Sequence, residues 1–131
     1  MKKGGGMMEY GVLVVDDEAS VLNTVKKILK SADIKVKTAC GGKECLVELH
    51  HGFRGLILMD IVMPGMDGWE TIHEIVDGGF ADRVIICMLT GENEPDHKMD
   101  PLKEYVVDYI TKPFNIHQLV SLVREYLSYL G

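Results

Sequence analysis

Four short apolar runs in this sequence stop abruptly at polar residues that could act together on a phosphoryl group. Val12 to Val15 runs into Asp16-Asp17, Leu56 to Met59 into Asp60, Val84 to Leu89 into Thr90, and Val106 to Thr111 into Lys112. An ionised carboxylate can attack phosphorus to give an aspartyl phosphate, which divides a phosphoryl transfer into two steps. Asp60 is the candidate nucleophile. A dianionic group arriving beside Asp16 and Asp17 calls for a divalent cation, and Mg²⁺ suits one or two carboxylates, phosphate oxygens and retained waters. Lys112 would act as a point charge on a phosphoryl oxygen, and the short Thr90 hydroxyl would donate a hydrogen bond only when that oxygen is present. Each residue also has a plainer role. An acidic pair after a strand can cap a helix. Thr90 before Gly91 suits a turn, Lys112 before Pro113 a solvated surface, and Asp67-Gly68 a turn and cap.

The elements that must position these groups follow from the same pattern. A short apolar run ending at a polar residue predicts a buried parallel strand with the polar group at its carboxyl end, the edge where open α/β sheets bind ligands. Val21, Leu22, Val25, Ile28 and Leu29 recur at helical spacing and predict an amphipathic helix over 19–31. A second strand is expected over 34–39, then a short helix opened by Gly41-Gly42, using Cys45, Leu46 and Leu49, and closed by His50-His51-Gly52. Pro64-Gly65 turns the chain toward Asp67, which with Glu70 caps a helix burying Trp69, Ile72, Ile75 and Val76 and ending at Gly78-Gly79. Asn115 with Gln118 makes a similar cap for a last helix whose apolar face is Ile116, Leu119, Val120, Val123, Tyr126, Leu127 and Leu130. This βα alternation, five times over, specifies a doubly wound, mostly parallel sheet with helices on both faces. The fourth helix is where the pattern breaks, because Pro95 and Pro101 both fall in 92–105. Asp100 can cap a helix with Pro101 in its first turn, leaving Leu102 to Tyr105 as a short turn; the alternative starts near Pro95 and kinks at Pro101.

Composition excludes several function classes. A net charge of −6, with no basic stripe, argues against direct nucleic-acid binding. No apolar stretch approaches a membrane span or a signal peptide. Cys40, Cys45 and Cys87 lack CxxC spacing and suit buried free thiols in a reducing compartment, so a cytoplasmic protein is expected. At 131 residues the chain fits one domain able to bury roughly two thirds of its unfolded surface. Residues 1–8, with Met1-Lys2-Lys3-Gly4-Gly5-Gly6, are expected to form a flexible leader ahead of a single domain over 9–131.

The assembled motifs resemble the receiver domain of CheY-like response regulators in two-component phosphorelays, from Tyr10 to about Leu130. The matching stretches are Val14-Val15-Asp16-Asp17-Glu18, Leu58-Met59-Asp60 through Val62-Met63-Pro64-Gly65-Met66-Asp67-Gly68, Leu89-Thr90-Gly91, and Tyr109-Ile110-Thr111-Lys112-Pro113-Phe114. The resemblance implies a flavodoxin-like (βα)5 fold with strand order 2-1-3-4-5. It implies that Asp60 is a phosphoacceptor taking its group from the phosphohistidine of a sensor histidine kinase or phosphotransfer protein. Asp16, Asp17, Asp60 and the Val62 main-chain carbonyl would hold Mg²⁺. Lys112 matches the phosphate-binding lysine, Thr90 the switch hydroxyl, Tyr109 the switch aromatic, and Lys112-Pro113 a cis peptide.

An output domain or protein and a second copy of the chain are further implied partners, and the domain assists its own phosphorylation and dephosphorylation without being an enzyme for external substrates. Two departures stand out. Tyr105-Val106-Val107-Asp108 replaces the usual Gly-Ala pair and polar residue, and Pro95 and Pro101 alter the fourth helix, both on the face where receivers commonly meet outputs. Two other function classes were weighed. A haloacid-dehalogenase-like phosphatase needs a second Asp two residues after its nucleophile, where this chain has Val62. A phosphorylation-independent interaction module would not need the acidic, hydroxyl and lysine set. A stand-alone receiver and one excised from a transcription factor, hybrid kinase or enzyme are equally compatible with the sequence.

Overall fold

The computed structural model describes residues 10–91 and 101–130. Five strands, β1 (Gly11–Val15), β2 (Val36–Ala39), β3 (Gly55–Asp60), β4 (Val84–Thr90) and β5 (Val106–Thr111), form one sheet in the order β2-β1-β3-β4-β5, every pair parallel. Among the described residues, four α-helices cover it: α1 (Ala19–Ser31), α2 (Gly42–His50), α3 (Gly68–Asp77) and α4 (Ile116–Leu130). The parallel, flavodoxin-like architecture and its strand order are those expected. Between β4 and β5 the described residues carry a 3-10 turn over Pro101–Tyr105. Pro101 opens it, since a proline tolerates the first turn and obstructs the interior. Asp100, and a helix start near Pro95, lie outside the described residues, as does the leader.

Strand alternation sorts the core into two layers. Leu13, Val15, Ile57, Met59, Ile86 and Met88 pack on the α2/α3 side, while Val12, Val14, Leu56, Leu58, Cys87, Leu89 and Ile110 pack beneath α1 and α4. Successive side chains of a strand point to opposite faces. All six residues of β3 are buried, which explains why that run reads as continuously apolar up to Asp60. Gly55 begins β3 at φ +139°, where a Cβ would stand 2.1 Å from the Gly11 carbonyl oxygen. Among the described residues, no helix is long and apolar enough to cross a membrane.

Three helices end in the same way, and this corrects one strand boundary. Asp33 N–H donates to Lys30 O and Ile34 N–H to Leu29 O, with Asp33 at φ 60°. The same paired bonds close α2 around Gly52 (φ +100°) and α3 around Gly79 (φ +81°). This is the Schellman arrangement, in which a left-handed residue lets two amides turn back onto the last carbonyls. Ile34 therefore belongs to the end of α1, and β2 begins at Val36 rather than Ile34. The last helix differs too: Leu119 and Val123 are buried, but Ile116, in its first turn, is 56% exposed.

Candidate functional site

Continuing the strand alternation past each carboxyl end accounts for which side chains meet. Asp16 follows Val12 and Val14, Asp60 follows Leu56 and Leu58, and Lys112 follows Ile110, so all three project on the α1/α4 side of the sheet. Asp16 is wholly buried and Asp60 nearly so. Lys112 Nζ donates to both, at 2.8 Å from Asp16 Oδ2 and 3.2 Å from Asp60 Oδ1. Its own amide donates to Thr90 O at 2.7 Å, and the Lys112-Pro113 peptide is cis. Burial works against the ammonium charge, but the Asp16 hydrogen bond and the charges of Asp60 and Asp16 outweigh it, leaving the Lys112 pKa above its ordinary value.

Stability linked to this pairing is thus fully present below pH 10.5, the value for free lysine, and is lost as pH rises through the higher folded value. Urea denaturation of wild type and Lys112→Met in EDTA should therefore keep a constant difference between pH 7 and 9. That difference should shrink only in the alkaline range; shrinkage already near pH 8 would mean that Lys112 is not held charged.

Asp17 is exposed, and oxygens of Asp16, Asp17 and Asp60 all lie within 4.8 Å of one another. Opposite ligands of an octahedral Mg²⁺ stand about 4.2 Å apart, twice a bond of about 2.1 Å, so small side-chain adjustments bring the three carboxylates to one ion. Hard oxygen donors of this type fit Mg²⁺ and fit soft metals poorly. Neither member of the acidic pair is the N-cap residue of α1. Glu18 is the N-cap residue of α1 and makes no side-chain cap bond, while Asp16 Oδ1 accepts from the Glu18 amide at 2.9 Å. Asp67 does cap α3, exchanging bonds with Glu70 in a full capping box, and Asn115 Oδ1 accepts from Gln118 N–H at 3.0 Å.

Thr90 and Tyr109 fall on the other face. Thr90 follows Ile86 and Met88 on the α2/α3 side, and Tyr109 lies opposite in parity to Ile110. Thr90 is half-buried, and its hydroxyl donates to Ile110 O at 3.5 Å, a long bond that a better acceptor would readily replace. The Tyr109 ring is 48% exposed. Its amide donates to Asp108 Oδ1 at 2.8 Å, and Asp108 Oδ2 accepts from the Tyr126 hydroxyl on α4 at 3.1 Å. Val62, also exposed, lies two residues beyond Asp60.

Two features of the site were not foreseen from the sequence. Gly68, expected only in a turn, presses α3 against the Asp60 backbone. A Cβ there would stand 2.5 Å from Asp60 O and 3.0 Å from Ile61 Cα, while the Gly68 amide donates to Ile61 O at 2.8 Å. Gly68→Ala should cost about 1–3 kcal/mol in urea denaturation, because backbone atoms, unlike a side-chain end, cannot swing aside. An unchanged midpoint would show that the loop has slack. The second is a recess of about 610 Å³ beside Lys112, lined by Ser20, Val21, Thr24, Pro113 and Phe114. Small exposed polar residues such as Ser20 and Thr24 give no sequence signal of such a surface.

The cysteines divide. Cys45 and Cys87 are buried thiols whose pKa burial pushes up to about 12, with Glu48 and Asp108 adding to it. Cys40, also expected to be buried, is exposed at the end of β2, where its amide donates to Glu44 Oε2 at 2.6 Å.

Comparison with known proteins is consistent across sequence and structure. A family model described as response regulator receiver domain matches residues 12–124. The chain is 31% identical over 119 residues to the transcriptional regulatory protein ResD of Bacillus subtilis, covering 91% of this chain and 48% of ResD. It is 30% identical over 126 residues to the transcriptional regulatory protein PrrA of Mycobacterium tuberculosis, covering 96% of this chain and 53% of PrrA. The chain thus spans about half the length of these curated relatives. Among solved structures, a CheY-like receiver domain protein from Methanospirillum hungatei is similar at 45% identity and a TM-score of 0.87, with 92% of this chain and 95% of that one covered. A Francisella response regulator receiver domain is similar at 25% identity and a TM-score of 0.80, covering 94% and 100%.

Proposed function

The chain belongs to the response regulator receiver domains of two-component systems, and on that premise we propose that residues 9–131 form a phosphorylation-controlled switch with Asp60 as the phosphoacceptor. The observation that carries this reading is the convergence of Lys112 on both Asp16 and Asp60, with Asp17 close enough to complete a three-carboxylate pocket. Receiver domains bind Mg²⁺ at such a pocket. Asp16, Asp17, Asp60 and the Val62 carbonyl would hold it, and the ion would supply positive charge against the incoming phosphoryl oxygens. Asp60 attacks the phosphorus of a phosphohistidine; the new O–P bond forms as the P–N bond breaks, and the imidazole leaves with the electron pair. Lys112 balances charge on a phosphoryl oxygen, as a mobile point charge suited to an anion.

The donor is a sensor histidine kinase or phosphotransfer protein, and the recess between α1 and Phe114 gives it a surface next to the acceptor. The output is protein-mediated, through an attached or separate output or a second copy of the chain. Free thiols at Cys40, Cys45 and Cys87 suit the cytoplasm. The domain assists its own phosphorylation and dephosphorylation and does not turn over other substrates.

Thr90 abandons its long bond to Ile110 for a phosphoryl oxygen, and Tyr109 moves into the space it leaves, on the face the two share. A phosphoryl group binds the two conformations unequally and so shifts their populations. The switch is tested by adding Mg²⁺ and a small phosphodonor to wild type and Thr90→Ala while following Asp60 modification by mass and the Tyr109 amide by NMR. The expected result is modification in both proteins and a Tyr109 shift only in wild type. Equal Tyr109 shifts would sink the Thr90 role.

A further inference from the structure

β5 changes face just before Tyr109. Ile86 pairs with Val106 but Cys87 pairs with Asp108, so Val107 is an extra residue that bulges the strand. Val106 packs on the α2/α3 side, whereas Asp108, beside Cys87, reaches α4. β5 also stands at one end of the sheet order. The Lys112 amide donates to Thr90 O, and the two-residue period of a parallel ladder then turns the Tyr109 amide away from β4, toward the outer edge of the sheet.

Asp108 Oδ1 takes up that amide at 2.8 Å, and Asp108 Oδ2 accepts from the Tyr126 hydroxyl at 3.1 Å. One carboxylate thus joins the main chain of Tyr109 to α4. The Tyr126 ring meets Tyr129 edge to face with centroids 5.7 Å apart, and Tyr129 is 66% exposed, its hydroxyl bonded to Glu125 Oε2.

We propose that Asp108 and Tyr126 form a latch that passes the state of Tyr109 to the exposed face of α4 around Tyr129. The inference rests on the Thr90 and Tyr109 switch of the proposed function, and it says where that switch is felt. As the Tyr109 ring turns toward Thr90 the main chain bearing it shifts, and the bulge at Val107 gives the slack that a regular ladder lacks. The two oxygens of a carboxylate keep a fixed separation, so moving Oδ1 moves Oδ2 and draws Tyr126 with it. The coupling is reciprocal: whatever holds α4 in one position biases Tyr109 in turn.

The test follows amide NMR shifts at Tyr109 and at Val123 and Leu127 of α4, before and after Asp60 modification by Mg²⁺ and a small acyl phosphate. Wild type, Tyr126→Phe, Asp108→Ala and Tyr129→Phe are compared, with modification checked by mass. Modification should move both Tyr109 and the α4 amides in wild type. Tyr126→Phe removes one hydroxyl and keeps the ring, so it should retain the Tyr109 shift and lose the α4 shifts. Asp108→Ala should lose the α4 shifts as well. Tyr129→Phe removes an α4 hydroxyl outside the latch and should respond as wild type does. Undiminished α4 shifts in Tyr126→Phe or Asp108→Ala overturn the proposal. So does their loss in Tyr129→Phe, which marks a generally loosened helix, or their absence in wild type whose Tyr109 does shift. If Tyr109 stays unmoved in modified wild type, the switch reading itself falls and the latch with it.

Discussion

Lys112→Met should cost the protein about 3–5 kcal/mol in EDTA, because it leaves Asp16 and Asp60 buried without their counter-charge. That is a large part of the roughly 5–15 kcal/mol that holds a typical domain together. Urea denaturation at pH 7 measures the loss. Adding Asp16→Asn to Lys112→Met should recover part of the loss, and the double-mutant cycle isolates the coupling. A single variant as stable as wild type at pH 7 would mean that Lys112 is not paired in solution.

Asp60→Asn should abolish phosphoryl modification altogether, since the amide is no nucleophile toward phosphorus. Its effect on folding has the opposite character. The amide has nearly the same shape and removes one of two charges that Lys112 must balance, so stability in EDTA should fall by less than in Lys112→Met. Mg²⁺ binding should weaken with the loss of one of three carboxylates. The contrast separates the chemistry of Asp60 from its contribution to packing. A variant that still gains a phosphoryl group at the wild-type rate would place the acceptor elsewhere, and the reading of the acidic pocket would fall.

How much of this was legible in the sequence depends on whether the signal was local. The strand ends were legible because burial on both faces of β1, β3 and β4 writes unbroken apolar runs that stop at Asp16, Asp60 and Thr90. Parity along those runs also carries the division of the site, with Asp16, Asp60 and Lys112 on one face and Thr90 and Tyr109 on the other. Boundaries were less legible. Ile34 has the residue type of a strand yet serves the end of α1, because Asp33 adopts a left-handed conformation that its residue type only weakly announces. Ile116 fits the apolar period of α4 but sits in its first turn, beyond the sheet it would pack on. In the described part of the fourth crossover Pro101 opens a 3-10 turn, as a proline tolerated only in a first turn would.

Non-local contacts were beyond reach. Lys112 meets Asp16 across 96 residues and Asp60 across 52, and no spacing rule says that one ammonium should bridge both. Gly68 was hidden for another reason. An Asp-Gly pair at a helix start is common turn chemistry, and only the approach of α3 to the Asp60 carbonyl shows why a side chain is excluded there. The Asp108 bridge between the Tyr109 amide and the Tyr126 hydroxyl likewise depends on β5 lying beside α4.

The central claim, that Asp60 is the acceptor of a Mg²⁺-assisted phosphoryl transfer, is tested most directly by intact mass after incubating wild-type protein with Mg²⁺ and a small phosphodonor, followed by peptide mapping. The account predicts a single phosphoryl adduct on the peptide containing Asp60, lost on hydroxylamine treatment and strongly reduced in EDTA. No adduct under these conditions, or a hydroxylamine-stable adduct on another residue, would contradict it.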